Sequence, residues 1–517
     1  MSDSTFIPTK ITFKPGYMRD GSNFSNTNSV DGLWNRFFNG RPRKMGGFSR
    51  FNFDIEGTIR EIWTDDRDGL TNIHLFGDYG VQRVRVNQNT GVIYAPLDRT
   101  PVGYTVDPSN SWQVDQIYDS ASNKSIIIAC SGSNMSSIDS SGAGSIYWAD
   151  PQDASLFAAA TFAPGNPSSL TGGSCVVHPY AFYYGDDGYL TWSAPNDPFN
   201  LATASGGGGV AGVRISESKI IKGNSFRSGS AGPSALFWSL NSLVRASYIG
   251  GSPVFSYSTL ADYISPLNPR SIVQYDSAFY WPDKGRFLTF NGTVSEIKNS
   301  YNLRWFYENL NWKYKSKCFG ISMADWGEIW WCFPYRENTE PSHAIILNLR
   351  EQCFYDTELP NRNRTAGVES QGYRYPLMAS NYELSGGDIV GALWDHERGN
   401  DEVNGSTIKA IRAYFDTPFI SLPHAAAGNF GLNITDFEPD IRFTNAMRVQ
   451  LIGRVAPDSP NIEDVVKTFY PRDTIVHFDK DFRMIKLILE SNIIGGSYIF
   501  GDSNLIYTQP SGQRNTR

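Results

Sequence analysis

Residues 395–402 gather the side chains used for metal ligation and proton transfer: Asp395-His396-Glu397, with Asp401 and Glu402 just after. Carboxylates and an imidazole suit a zinc-like ion or an acid–base pair. Three such residues in a row converge on one ion only when a fixed loop bends them together. The polar surroundings favour a solvated inter-domain loop instead. Asp186 and Asp187 form a second candidate, because a glycosidase needs two facing carboxylates. They sit in Tyr184-Gly-Asp-Asp-Gly188, where a turn explains them as well. A third group is basic: Arg36, Arg41, Arg43, Lys44 and Arg50, with no acid between Asp31 and Asp54. It reads either as a solvated loop or as an arm that docks on an acidic neighbouring subunit. No Gly-x-Ser-x-Gly elbow, His-Glu-x-x-His, nucleotide loop or EF-hand spacing occurs. The glycines 206–209 are not followed by Gly-Lys-Ser/Thr, so Ser205–Gly212 is expected to be a flexible loop. No catalytic, cofactor-binding or metal-ligating residue is therefore expected.

The elements that would position these groups are strands. An aromatic-plus-Asp/Gly turn signal recurs as Phe76-Gly-Asp78-Tyr-Gly80, Tyr184-Gly-Asp186-Asp-Gly188 and Tyr280-Trp-Pro-Asp283-Lys-Gly285. Gly accepts positive φ, Asp bonds its own backbone, and the aromatics pack across strands. Short β-branched or aromatic runs fill the intervals: Ile59–Trp63, Val81–Val86, Ser125–Ala129, Ile146–Trp148, Ala181–Tyr184, Ala235–Leu240, Phe279–Trp281, Phe287–Phe290, Ile329–Phe333 and Ile345–Leu349. Each interval of about 100 residues would hold two four-stranded blades of roughly 40–50 residues. The expectation is an all-β chain, a β-propeller of about five to seven blades with an additional β-sandwich-like domain. Residues 1–50 are expected as an extended arm, 51–404 as the propeller and 405–517 as the sandwich. Leu303, Phe306, Tyr307 and Leu310 fall at helical spacing within Tyr301–Trp312, which predicts a short inserted helix. Gly386–Asn404 reads as loop and Ser406–Phe415 as the next strand. Further strands are expected at Ala446–Ile452, Thr474–Phe478, Met484–Leu489 and Ser497–Phe500. Gln509–Arg517 reads as a polar, frayed tail.

Composition narrows the function. The 517 residues carry a net charge of −7, which argues against a protein that grips nucleic acid by its phosphates. Charged residues are 19%, below the ~25% of ordinary soluble domains, so much surface is buried or covered by other subunits. Cys130, Cys175, Cys318, Cys332 and Cys353 are odd in number and lie in part in apolar runs, as buried free thiols of a reducing compartment would. The first residues lack the charge and apolar core of a signal peptide, and no run approaches a membrane span. Synthesis in a cytoplasm is expected.

The turn repeat departs from the Asp-box of sialidase propellers, which has Ser or Thr two residues before the Asp; here those positions are Phe76, Tyr184 and Trp281. Trp330-Trp331 and Trp305-Phe306-Tyr307 are the densest aromatic clusters. Core packing is the favoured explanation, with one of the adjacent tryptophans facing a neighbour or another subunit. Tyr184-Gly-Asp-Asp-Gly-Tyr-Leu-Thr-Trp192-Ser-Ala-Pro-Asn-Asp197-Pro-Phe199 resembles a segment of tail proteins of short-tailed bacteriophages, where a strand ends in Trp-Ser before a Pro/Asp-rich turn. Ile146–Asp153, Ala235–Arg245, Phe279–Trp281, Arg286–Gly292 and the basic entry Asn39–Phe48 resemble the same family. It is the tail nozzle, or tail hub, also termed the packaged-DNA stabilisation protein, and the likeness covers roughly residues 35–400. The resemblance implies a structural virion protein without enzymatic activity. It implies a homo-oligomeric, hexameric ring below the portal and adaptor, in contact with tail fibres or spikes and indirectly with the host envelope. That ring would retain packaged double-stranded DNA and pass it without sequence-specific binding; a mildly acidic channel repels phosphates. Within it, Arg36, Arg41, Arg43, Lys44 and Arg50 would make a subunit contact. The alternative is a glycan-binding adhesin or glycan hydrolase with a propeller fold, using Trp192, Asp186 and Asp187.

Overall fold

The computed structural model describes residues 6–21, 28–106, 111–131, 146–167, 172–226, 232–360, 363–421, 432–454, 456, 459–461 and 463–508. Strand takes up 53% of the chain and helix 5%, so the protein is all-β as expected. Among the described residues, seven antiparallel-rich sheets follow one another, at 59–98, 113–159, 173–214, 220–262, 273–297, 319–358 and 366–410. In the first six, four strands pair in chain order. An apolar layer fills each gap between successive sheets. The last sheet closes on the first, where Leu377, Ala379 and Leu393 pack with Ile59, Ile73 and Leu75. The architecture is a seven-bladed β-propeller. All ten strand runs expected between residues 59 and 349 lie on strands of its blades, Ala235–Leu240 and Ile345–Leu349 each overrunning its strand by one residue.

The three turn signals join the second and third strands of blades 1, 3 and 5, so each interval does hold two blades. The Asp has a structural task in two of them. Asp78 accepts the N–H of Thr58 at 2.6 Å, and Asp283 accepts that of Ser265 at 2.6 Å, which ties the turn to the connection entering on the same face. Strand alternation settles the adjacent tryptophans. Trp331 enters the gap between blades 5 and 6, and Trp330 the gap between blades 6 and 7; both are buried. The helix Leu303–Asn309 lies between blades 5 and 6, with Phe306 and Leu310 in that gap.

Several expectations need correction. The described part of the first fifty residues is not an extended arm. Phe48–Arg50 and Ile55–Glu56 pair with Ile389–His396, and Phe48–Arg50 lies inside the blade 7 sheet, between Ile389–His396 and Asp401–Asn404. Phe6–Ile11 pairs with Ser503–Thr508, Gly32–Leu33 with Ala413–Asp416, and Arg41–Lys44 with Tyr498–Phe500. The sandwich is thus built from both ends of the chain, 6–44 and 413–508. Gly386–Asn404 is not a loop, since it holds the strands Ile389–His396 and Asp401–Asn404. Ser406–Phe415 is two strands, Thr407–Ala410 and Ala413–Asp416, and the chain leaves the propeller between them. The glycine loop is anchored rather than loose. Gly208 donates to the Trp192 carbonyl at 2.8 Å, and a Cβ there would lie 2.8 Å from the Trp192 ring. Gln509–Arg517 lies outside the described residues.

The gap between blades 6 and 7 does not end at the propeller rim. Its side chains, Trp330, Tyr355, Met378 and Trp394, continue into Trp34, Phe37, Phe415, Leu489 and Tyr507 of the sandwich as one core. A shared apolar core of this kind holds two domains as one rigid body.

Candidate functional site

The basic residues singled out in the sequence converge on this seam. Asn35–Phe38 and Arg41–Lys44 form a hairpin whose two-residue turn is Asn39 (φ 51°) and Gly40 (φ 73°). Both central residues take positive φ, as a type I′ turn requires. The register pairs Arg36 with Arg43, Arg43 with Ile499, and Ile499 with Arg442. Directly paired residues share a face, so three arginines stand in one row across this sheet.

Their environments differ. Arg36 is fully buried. Its guanidinium reaches Glu397 at 2.7 and 2.8 Å and Glu328 at 3.0 Å, and it lies 4.2 Å from the centre of the Trp326 ring. Burial opposes its charge, but Glu328 and Glu397 outweigh burial and hold it protonated. Glu328 is also buried and accepts from Trp330 Nε1 at 2.8 Å and from the Tyr355 hydroxyl at 2.5 Å. Arg36 and Glu328 are buried within the fold of one chain, out of reach of a neighbouring subunit. Arg36 is therefore an internal latch and not the subunit contact expected of it. Lys44 is internal too: its Nζ donates to the Gly496 carbonyl at 2.8 Å, and burial lowers its pKa to about 8 against the pull of Asp401. Arg50 is held by the Tyr382 hydroxyl at 2.7 Å and by Asp54. Arg41 is exposed.

Arg43 and Arg442 remain. They face a cleft of about 370 Å³ bounded by Trp326, Glu397 and Tyr498. Arg43 stacks 4.7 Å from the Trp326 ring centre. Burial, then repulsion from Arg36, lowers its pKa. Among the described residues neither Arg43 nor Arg442 has a carboxylate partner within ion-pair distance. Glu397 is already committed to Arg36. Two guanidinium forks on one face, with an aromatic wall, make a receptor for an oxyanion such as a carboxylate. The sequence offered no local sign of Trp326 or Arg442, because only cross-strand register brings them to Arg43. The Asn39-Gly40 dipeptide between Phe37-Phe38 and Arg41 was a legible hairpin signal that the arm reading passed over.

The acid–base candidates do not converge. Asp395 and His396 end a buried strand instead of lying in a solvated loop. Asp395 accepts from the Tyr373 hydroxyl at 2.9 Å and from Arg398 at 2.8 Å. His396 Nε2 accepts from Arg364 Nε at 2.9 Å, and the ring stacks on Phe48. Burial keeps that imidazole neutral. Glu397 turns away to Arg36. Among the described residues no group of three His, Cys, Asp or Glu side chains is placed to hold a metal ion. Asp186 and Asp187 form a tight turn, with Asp186 3.6 Å from Lys219. Trp192 is buried against Phe182 and Phe255, and its Nε1 donates to the Gly206 carbonyl at 3.1 Å. Its ring is not free to stack on a sugar. All five cysteines are buried, and none is in a disulfide.

Fold and site together define a seven-bladed propeller fused to a sandwich, with a cleft at the junction in which cations outnumber the one carboxylate, Glu397. No family model matches the chain, and no curated protein matches it.

Proposed function

We propose that this chain is a structural subunit of the nozzle, the distal ring of a short phage tail. In this reading copies assemble into a hexameric ring beneath the portal and adaptor. The ring retains packaged double-stranded DNA and provides the channel for its ejection. The observation that carries the reading is the pair Arg43 and Arg442, which among the described residues have no carboxylate within ion-pair distance, on a subunit of net charge −7. A neighbouring acidic copy supplies the carboxylates that such a cleft lacks. The single core across the propeller–sandwich seam supports it further, because a ring that resists internal pressure needs subunits that do not hinge. The likeness of residues 35–400 to nozzle proteins supplies the specific assembly.

Electron microscopy of the purified protein tests this. Rings with an axial channel are expected for the wild type, and folded single subunits for an Arg43→Glu/Arg442→Glu variant. Wild-type monomers or trimers would overturn the nozzle reading. Rings unaffected by the double substitution would overturn the role given to the cleft.

A further inference from the structure

A second cavity lies between the outer strand of blade 3 and blade 4, and its chemistry differs from that of the cationic seam. It measures about 610 Å³ and is walled by Arg214 of blade 3 and by Glu217, Asn241, Ser242, Thr259, Asp262 and Tyr263. Ligand pockets of small molecules typically span ~300–1,000 Å³.

A β-bulge assembles its floor. The outer strand Phe255–Asp262 pairs Asp262 with Ser242 and Ala261 with Leu243, and then slips so that Val244 faces Thr259. The extra residue, Leu260, shifts the alternation by one. Thr259 thereby joins Ser242 and Asp262 on the groove side, while Leu260 and Ala261 pack on the core between blades 4 and 5. Bulges re-aim side chains in this way.

Tyr263 follows at once. It is 92% exposed and its backbone is left-handed, φ 58°. A bulky aromatic rarely accepts that region. Its neighbours fix it there: Arg286 donates to its carbonyl at 3.0 Å, Ile264 donates to the Asn241 carbonyl at 3.3 Å, and Ser265 donates to Asp283 at 2.6 Å. The fold thus spends strain to stand a phenol ring upright in solvent beside the groove. Nothing in the packing uses that ring.

The groove offers both hydrogen-bonding polarities. The side chain of Asn241 is oriented by the hydroxyls of Ser218 at 2.6 Å and Ser239 at 3.0 Å. Thr259 supplies a hydroxyl, and Asp262 and Glu217 supply acceptors. Among the described residues, these two carboxylates form no ion pair. The one cation of the lining, Arg214, donates to the Asp187, Ser216 and Glu217 carbonyls, so the two carboxylates disfavour an anion; among the described residues no three-ligand metal group is placed here. A polyhydroxylated neutral ligand fits. Each of its hydroxyls both donates and accepts, and its C–H face packs on an exposed aromatic ring.

We propose that this groove binds a saccharide, with Tyr263 as the stacking platform and Asp262, Thr259 and Asn241 as hydroxyl partners. The site does not depend on the nozzle reading.

The test uses the full chain and saturation-transfer NMR with glucose, galactose, mannose, rhamnose and N-acetylglucosamine at millimolar concentration. A printed array of bacterial surface polysaccharides is run beside it. Binding to at least one of these probes is expected. Tyr263→Gly should weaken it by about tenfold or more, the order expected on losing a stacked aromatic contact. The same variant relieves the backbone, so its thermal midpoint should be equal to or above that of the wild type. Asp262→Asn should weaken binding less, and Arg43→Ala should leave it unchanged. No binding to any probe would overturn the proposal. So would binding that survives Tyr263→Gly.

Discussion

The gaps between most blades and the seam between propeller and sandwich are joined by different means. Between blades 4 and 5, Leu236, Trp238, Phe279 and Trp281 meet as an almost purely apolar layer. At the seam, the same kind of layer surrounds a buried charge cluster, Arg36 with Glu328 and Glu397. Apolar contact is non-directional and serves a unit repeated around a ring, since each blade only has to press on the next. The sandwich docks at one place alone. Buried ion pairs add little net stability, because desolvation offsets attraction, but a mispaired one is costly. At the seam Arg36 on the sandwich side meets Glu328 and Glu397 on the propeller side, a directional contact that an apolar layer lacks.

The strongest way to break this comparison is to remove residues 1–44. That deletes strands from the sandwich sheets and uncovers the seam core, so we expect loss of cooperative unfolding in denaturant titrations, not a modest shift. Arg36→Ala comes next. It leaves Glu328 buried opposite Glu397 and should cost about 3–5 kcal/mol in chemical denaturation. Restoring neutrality with Glu328→Gln in the same chain should recover part of this.

A finer test uses two neighbours on one strand. Trp330 Nε1 donates to the buried Glu328 carboxylate at 2.8 Å, whereas Trp331 Nε1 donates to the Ser271 carbonyl at 2.9 Å. The volume lost in a Trp→Phe change is the same. Trp330→Phe should nevertheless cost more by ~1 kcal/mol, since hydrogen bonds to charged groups contribute ~1.5–3 kcal/mol and neutral ones ~0.5–1.5. Equal costs would mean that the seam is held as the blades are.

A test of a different kind is a pH dependence. His343 stacks on Tyr335 with ring centres 4.0 Å apart, and burial, then Arg19 and Arg336, lowers its pKa from 6.5 to about 4. The unfolded chain therefore binds this proton first. The contribution of His343 is fully present above about pH 6.5 and is lost as pH falls towards 4. His343→Gln should flatten the stability–pH curve in that window by at most ~1.4 kcal/mol per pH unit.

Much of the propeller was legible because its signals are local. Strand runs such as Ile329–Phe333 carry their own β-branched and aromatic signature, and the Asp/Gly turns mark alternate blades. The seam was not legible for the opposite reason. Arg43 pairs with Ile499, and Phe48 with His396, so the partners that turn a basic, Gly- and Pro-rich stretch into strands are hundreds of positions away. Without them Arg36 reads as a solvent-facing charge, although it is among the most deeply buried side chains of the protein. The run Asp395-His396-Glu397 misleads for a related reason. Its polar sequence suggests water, but each member is satisfied by a different partner brought from elsewhere in the chain.

The pairing of Phe6–Ile11 with Ser503–Thr508 also has a consequence in time. A ribosome works at ~5–20 residues per second, so the last strand follows the first by roughly half a minute to a minute and a half. Blades 1 to 6 need only sequence already synthesised, and they can form as they emerge. The opening segment cannot: Ile11 lacks its partner Ser503, and the cover that Trp34 and Phe37 take from Trp330 and Tyr355 is completed only when the sandwich strands arrive. For that interval the nascent protein carries a sticky, half-built edge. Growth conditions that slow translation late in the message should therefore raise its demand for chaperones more than slowing it early.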